Sequence, residues 1–244
     1  KNNHFVNNHK FKNITNFQLK NIIIYTRVYT QLAAKSFKKY FETYGIKTYI
    51  KFNSIENDDI IDCYNNDNLF LLLIGPQYLF KYSKTKIEDL IPLPSNKYFI
   101  YEIEQLSQQF NLNLIKQFNY LISEPFFEFN YSILNFDYYY SESKTVITPL
   151  IKEFDIDNIN SHKDIDILFV GNLSEHRTEI IDSIKDRGYN VTVVNKIFGD
   201  ELYELVKKSK IIINIHYYTD SVFEVFRIHD FLPFDCNIIS EPPE

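Results

Sequence analysis

Three short segments in the last third of the chain place polar and charged residues where α/β proteins do chemistry. The first reads Gly171-Asn172-Leu173-Ser174-Glu175-His176-Arg177. Gly171 lets the backbone turn tightly, and Ser174 has the side chain to N-cap a following helix. A helix N-terminus presents unpaired N–H groups and the positive end of the helix dipole, which together attract an anion. Arg177, one turn in, can add a charge-assisted contact to phosphate. The plainer alternative is a strand-turn-helix with a surface arginine. The second segment reads Asn214-Ile215-His216-Tyr217-Tyr218. In extended chain Asn214 and His216 point the same way, toward a common cleft. A histidine hydrogen-bonded at a strand end is the competing reading. The third runs from Ser221 through Glu224 and Arg227 to Asp230. Ser221 and Glu224 fit a capping box, and Glu224 and Arg227 share a helix face three residues apart. A structural pairing and a ligand-facing role both fit those spacings.

The elements that must position these groups follow a β-α rhythm, run twice. In the first half, residues 22–25, 47–52, 69–74 and 97–103 read as strands. Residues 31–44 read as a helix ended by Gly45, 55–64 as a weak helix and 111–122 as a further helix. The segment 69–74 is apolar throughout, as a parallel strand covered on both faces must be. Residues 125–148 are aromatic, with short strand-like pieces ending at Val146-Ile147. In the second half, strands are expected at 165–170, 190–194, 210–215 and 237–240, and helices at 174–187, 200–209 and 221–232. Such alternation means βαβ units and a parallel sheet. The fold class is therefore α/β, with two Rossmann-like parallel-sheet domains facing a cleft. The boundaries expected are a polar lead-in over 1–19, a first domain over 20–155, a polar linker near 152–163 and a second domain over 164–244.

Composition narrows the function. The net charge of -6 argues against a broad nucleic-acid footprint, which needs a basic face. No stretch approaches the roughly 18 uninterrupted apolar residues of a membrane-spanning helix. No signal peptide opens the chain. The two cysteines, Cys63 and Cys236, have no metal-type spacing and read as buried free thiols of a reducing, cytoplasmic compartment. No cluster of carboxylates suggests a metal, and no cofactor is expected. Abundant Asn, Ile, Lys, Phe and Tyr reflect AT-rich codons. The absence of Met reads as a trimmed or partial chain.

The segment from Asp166 to Glu241 resembles the donor-binding half of GT-B glycosyltransferases of the group 1 type. The resemblance rests on Phe169-Val170-Gly171-Asn172, a basic residue at Arg177, Lys210-Ile211 through Asn214-Ile215-His216, Phe223-Glu224-x-x-Arg227-Ile228, and the strand ending Ile239-Ser240-Glu241. The first half is similar to the acceptor half of the same proteins through 101–106 and the aromatic segment near Phe136-Asp137-Tyr138. The resemblance implies a nucleotide-diphosphate sugar as donor and a hydroxyl acceptor, with no metal. Gly171 and Arg177 would contact the diphosphate, with Asn172 beside them. Glu224, Arg227 and Asp230 would position the nucleotide ribose and sugar, and Asn214 and His216 would complete the donor-binding set. A catalytic base, if the reaction inverts, would come from Glu104 or Glu102 in the acceptor half. The chain departs from the commoner pattern at Asn172, where a basic residue is usual, and lacks a glutamate pair eight apart. It also ends before the last strand and helices usual in a donor half, so that domain is expected to be incomplete.

Two other classes compete. One is a non-catalytic binding or scaffold protein of the same fold. The other is a doubly wound hydrolase or nucleotide-binding protein, which the lack of a G-x-S-x-G elbow, a Walker loop or a G-x-G-x-x-G disfavours.

Overall fold

A computed structural model describes residues 19–90, 93, 97–103, 127–130, 144–147, 162–218 and 225–242. Among the described residues, ten strands lie in two parallel sheets. The first sheet holds β1 (Asn21–Thr26), β2 (Lys47–Phe52), β3 (Leu69–Ile74), β4 (Tyr98–Glu102), β5 (Phe127–Asn130) and β6 (Lys144–Ile147), in the order β2-β1-β3-β4-β5-β6. The second holds β7 (Ile165–Val170), β8 (Val191–Val194), β9 (Ser209–Asn214) and β10 (Asn237–Ser240), in the order β8-β7-β9-β10. The second sheet thus repeats the order of the first four strands of the first. In each, the chain starts in an inner strand, steps to one side, then crosses back to the other. The resulting switch points lie between β1 and β3 and between β7 and β9, where ligands of open α/β sheets bind beyond the strand C-termini.

Sequence pattern explains both cores. Along β1 and β3, even-numbered Ile22, Ile24, Phe70, Leu72 and Ile74 face one side, packed on Ala33, Ala34 and Phe37 of α1 (Gln31–Thr43). Odd-numbered Ile23, Tyr25, Leu69, Leu71 and Leu73 face the other, joined by Tyr98 and Ile100 of β4. There they meet Ile60 and Cys63 of α2 (Asn57–Asn65) and Leu79 and Phe80 of α3 (Pro76–Tyr82). The period of two, buried on both sides, makes β3 continuously apolar. The second sheet packs Ile167, Phe169 and Ile213 on Ile181 of α4 (Glu175–Asp186). Its other face packs Leu168 and Ile212 on Val206 of α5 (Asp200–Lys207) and Phe231 of α6 (Val225–Phe231).

Most expected elements are present within a residue or two. The helix α3 was not expected: Gly75-Pro76 reads as a stop. It does end β3, but proline at the first helical position also opens the next helix. The helix expected over 200–209 ends at Lys207, because Ser209 already begins β9. The helix expected over 111–122, and the start of the one expected over 221–232, fall outside the described residues.

The loops at the two strand-C-terminal edges touch. Tyr29, in the 3-10 turn Val28–Thr30 after β1, has its ring 6.2 Å from that of Phe198, in the loop after β8. Gly199, which starts α5, abuts Gln31, which starts α1. A Cβ placed on Gly199 would collide with Gln31 Nε2. Gly199 also has φ 63 and ψ -139, a conformation that side-chain-bearing residues rarely adopt. Gly199→Ala is expected to lower stability by about 1–3 kcal/mol through this backbone strain. Gln31 is flexible and can swing aside, so Gln31→Ala should not rescue the variant in a thermal melt. Full rescue would assign the loss to the contact instead.

Candidate functional site

The site is built at the C-terminal edge of the second sheet, around the switch point between β7 and β9. Four chain segments converge there: the loop after β7 with the first turn of α4, the loop after β9, the first turn of α6 and the residue after β10.

Ser174 caps α4, its Oγ accepting from the Arg177 backbone N–H at 3.3 Å, as the sequence suggests. Gly171 has φ 145. A Cβ there would lie 3.4 Å from Arg177 Nη1, 3.6 Å from the Phe169 ring and 3.8 Å from Arg227 Nη1. Glycine is required by conformation, and its bare backbone lies between two guanidinium groups.

Arg177 differs from both sequence readings. It is neither a surface residue nor an open hand for phosphate, being only 1 % exposed. Its Nε and Nη2 donate to the Ile215 carbonyl at 2.9 and 2.7 Å, and Nη1 donates to the Asn172 carbonyl at 2.8 Å. Its Cζ lies 5.3 Å from the Phe169 ring centroid and 5.1 Å from that of Tyr217. The buried charge is met by carbonyl oxygens and by the electron-rich faces of two rings. Arg177 is a brace that ties the loop after β7 to the loop after β9.

Asn214 is buried at the end of β9. Its Nδ2 donates to Ser240 Oγ at 3.0 Å, which leaves Oδ1 to accept from Arg227 Nη1 at 3.4 Å. Arg227, half-buried near the start of α6, is thereby held beside Gly171. Asp230 is half-buried one turn further along α6. Asn172 is exposed in the loop, with Leu173 beside it. His216, 5 % exposed, follows β9 by two residues.

Three further residues complete the edge, Glu241, Tyr217 and Tyr218, and none of them is given a role by the sequence reading. Glu241 follows β10. Its Oε1 accepts from His176 Nε2 at 2.8 Å and its Oε2 from the His216 backbone N–H at 2.6 Å. Its own N–H donates to the Asn214 carbonyl at 3.1 Å. One carboxylate therefore joins the first turn of α4, the loop after β9 and the end of β10. The rule that directs attention to strand C-termini, applied to the fourth strand as to the first and third, finds Glu241. Tyr217 and Tyr218, both exposed, meet edge-on with ring centroids 4.9 Å apart.

Of the two candidate bases, Glu102 belongs to the first sheet and not to this edge. Glu102 ends β4 in the first sheet, is 0 % exposed, and its Oε1 accepts from the backbone N–H of Ile103 at 2.9 Å. The sequence reading offers Glu102 as a base at a strand end, and the structure buries that carboxylate completely. Glu104 and Glu224 lie outside the described residues. Among the described residues no group of three or more His, Cys, Asp or Glu side chains is placed to hold a metal ion. Nor is any helix among them long and apolar enough to cross a membrane.

No protein-family model matches the chain. It is similar to two proteins of Acanthamoeba polyphaga mimivirus. It is 27% identical over 188 residues to uncharacterized protein L138, covering 72% of this chain and 20% of that protein. It is 25% identical over 217 residues to uncharacterized protein L137, covering 84% of this chain and 27% of that protein. The chain therefore spans about a fifth to a quarter of the length of these relatives.

Proposed function

We propose that the protein is a glycosyltransferase that takes a nucleotide-diphosphate sugar as donor and a hydroxyl group as acceptor. The observation that carries this reading is the edge of the second sheet at its switch point. There a glycine backbone, the capped N-terminus of a 12-residue helix and Arg227 converge. Backbone N–H groups, the helix dipole and a cation together favour a diphosphate. In this reading the exposed face of Tyr217 or Tyr218 offers a surface for a base or sugar ring. Transfer would proceed mainly by positioning and by stabilising the departing diphosphate. Tyr29 and Gln31 of the first half meet the loop after β8, beside this edge, which supports an acceptor side there. The two free thiols, Cys63 and Cys236, support a reducing compartment such as the cytoplasm.

Calorimetry with UDP and GDP tests the reading. The wild type should bind one of them, and Arg227→Ala should weaken that binding by about tenfold or more, the worth of a charge-assisted hydrogen bond. Arg227→Lys should recover only part, since an ammonium does not reproduce a two-pronged contact. Equal affinity in Arg227→Ala would remove Arg227 from the site. The burial of Glu102 favours a second reading, a nucleotide-sugar binding module without turnover. Binding with neither transfer nor donor hydrolysis would select it.

A further inference from the structure

The ring of His216 has one nitrogen whose use the fold does not explain. Nε2 lies 3.3 Å from the backbone oxygen of Glu241. A carbonyl oxygen only accepts, so this contact places the proton on Nε2. The neutral ring then presents Nδ1 as a bare acceptor. Nδ1 is buried, and among the described residues nothing hydrogen-bonds to it. A histidine serving only the fold would satisfy both ring nitrogens or leave one in water, because an unmet buried acceptor carries its whole desolvation penalty.

We propose that His216 Nδ1 accepts a hydrogen bond from a hydroxyl of the bound nucleotide sugar, and that Glu241 is the residue that positions it. This rests on the nucleotide-sugar reading above. A hydroxyl fits where a phosphate does not. Phosphate oxygens at neutral pH have few protons to give and seek donors, which Gly171, the α4 N-terminus and Arg227 supply. Sugar and ribose hydroxyls have a proton to give. Glu241 is itself held at each polar group. His176 and the His216 N–H take its carboxylate, Asn214 takes its N–H, and its carbonyl takes Nε2. The ring is thus fixed in plane and tautomer before a ligand arrives.

Two near-isosteric variants separate the nitrogens. Asn at this position puts its amide close to the place of Nδ1, and Gln reaches the place of Nε2. Binding of UDP-glucose, UDP and 2′,3′-dideoxy-UDP, and of the guanosine series, is measured by calorimetry. Wild type should lose about tenfold in affinity when the hydroxyl that His216 reads is missing. A loss from UDP to dideoxy-UDP assigns a ribose hydroxyl, and a loss from UDP-glucose to UDP assigns the transferred sugar. His216→Asn should keep most of this discrimination and His216→Gln should abolish it. Glu241→Ala should weaken the discrimination, read as the ratio of affinities with and without the hydroxyl. Nitrogen-15 spectra of free wild type should show His216 protonated on Nε2, with the Nδ1 signal moving on ligand addition. Discrimination that survives in His216→Gln, or a proton found on Nδ1 in the free protein, would overturn the assignment and leave the nucleotide-sugar reading standing. A wild type that binds neither series overturns that reading and this one with it.

Discussion

Arg177→Ala is expected to destabilise the protein by about 3–5 kcal/mol, more than any other single change at the site. The reason is the commitment of its guanidinium. Three charge-assisted hydrogen bonds to the carbonyls of Ile215 and Asn172 disappear, and Ile215 is itself buried. A buried carbonyl left unmet costs about 1–3 kcal/mol, and truncating a large buried side chain adds a cavity. In a protein of this size that loss corresponds to a fall in Tm of roughly 10 °C. Arg177→Met, which keeps most of the volume, isolates the polar part and should stay well below wild type. Arg177→Lys should recover little, since one ammonium cannot span both carbonyls in a plane between two rings. Thermal melts of the three variants check this order. A stable Arg177→Ala protein that has lost only diphosphate affinity would return Arg177 to the ligand-contacting role that its place in the sequence suggests.

The same residue shows where reading the sequence stops. That Arg177 stands in the first turn of a helix after a strand and a glycine is legible. That its side chain folds inward is not, because its main partner, Ile215, is 38 residues away across another crossover. Glu241 is hidden for the same reason. Its partners His176 and His216 lie 65 and 25 residues earlier, and nothing in the local pattern of a strand end distinguishes a linking carboxylate from a solvated one. By contrast, β3 is legible to the residue, since six consecutive buried apolar positions admit few alternatives. The shared strand order of the two sheets lies between these cases. Periodicity places the strands and the handedness of crossovers restricts their order, but which inner strand pairs with which is decided by long-range packing. The site is therefore legible as an edge, from which strands end there. It is not legible as a set of contacts, which depends on how three loops close on one another.

Alkaline instability is the second large effect, and it arises away from the site, in the core of the first sheet. Burial pushes the Cys63 thiol from 9 up to about 11, and its Sγ lies 3.2 Å from the Leu69 carbonyl. A thiolate there would face carbonyl oxygen in an apolar cluster. A group whose folded value is raised favours the folded state while it holds its proton. Its contribution is complete below the unfolded value of 9 and is lost as pH rises to the folded value of about 11. That difference is worth about 2–3 kcal/mol at full ionisation of the unfolded chain. Tyr25 and Tyr101 act in the same direction, beginning above pH 10. Burial raises both, and at Tyr25 the hydrogen bond donated to Asp59 adds to the effect. Tyr203, pushed up to about 12 by burial, adds a share in the second sheet. Denaturant unfolding measured from pH 8 to 11 should therefore show stability falling with pH, first between 9 and 10 from Cys63 and then more steeply as the tyrosines join. Cys63→Ser, which does not ionise in this range, should start lower because it loses the packing of the sulfur. Its decline between pH 9 and 10 should nevertheless be flatter than that of the wild type. Parallel slopes for the two proteins over that interval would show that the thiol is not the group that titrates.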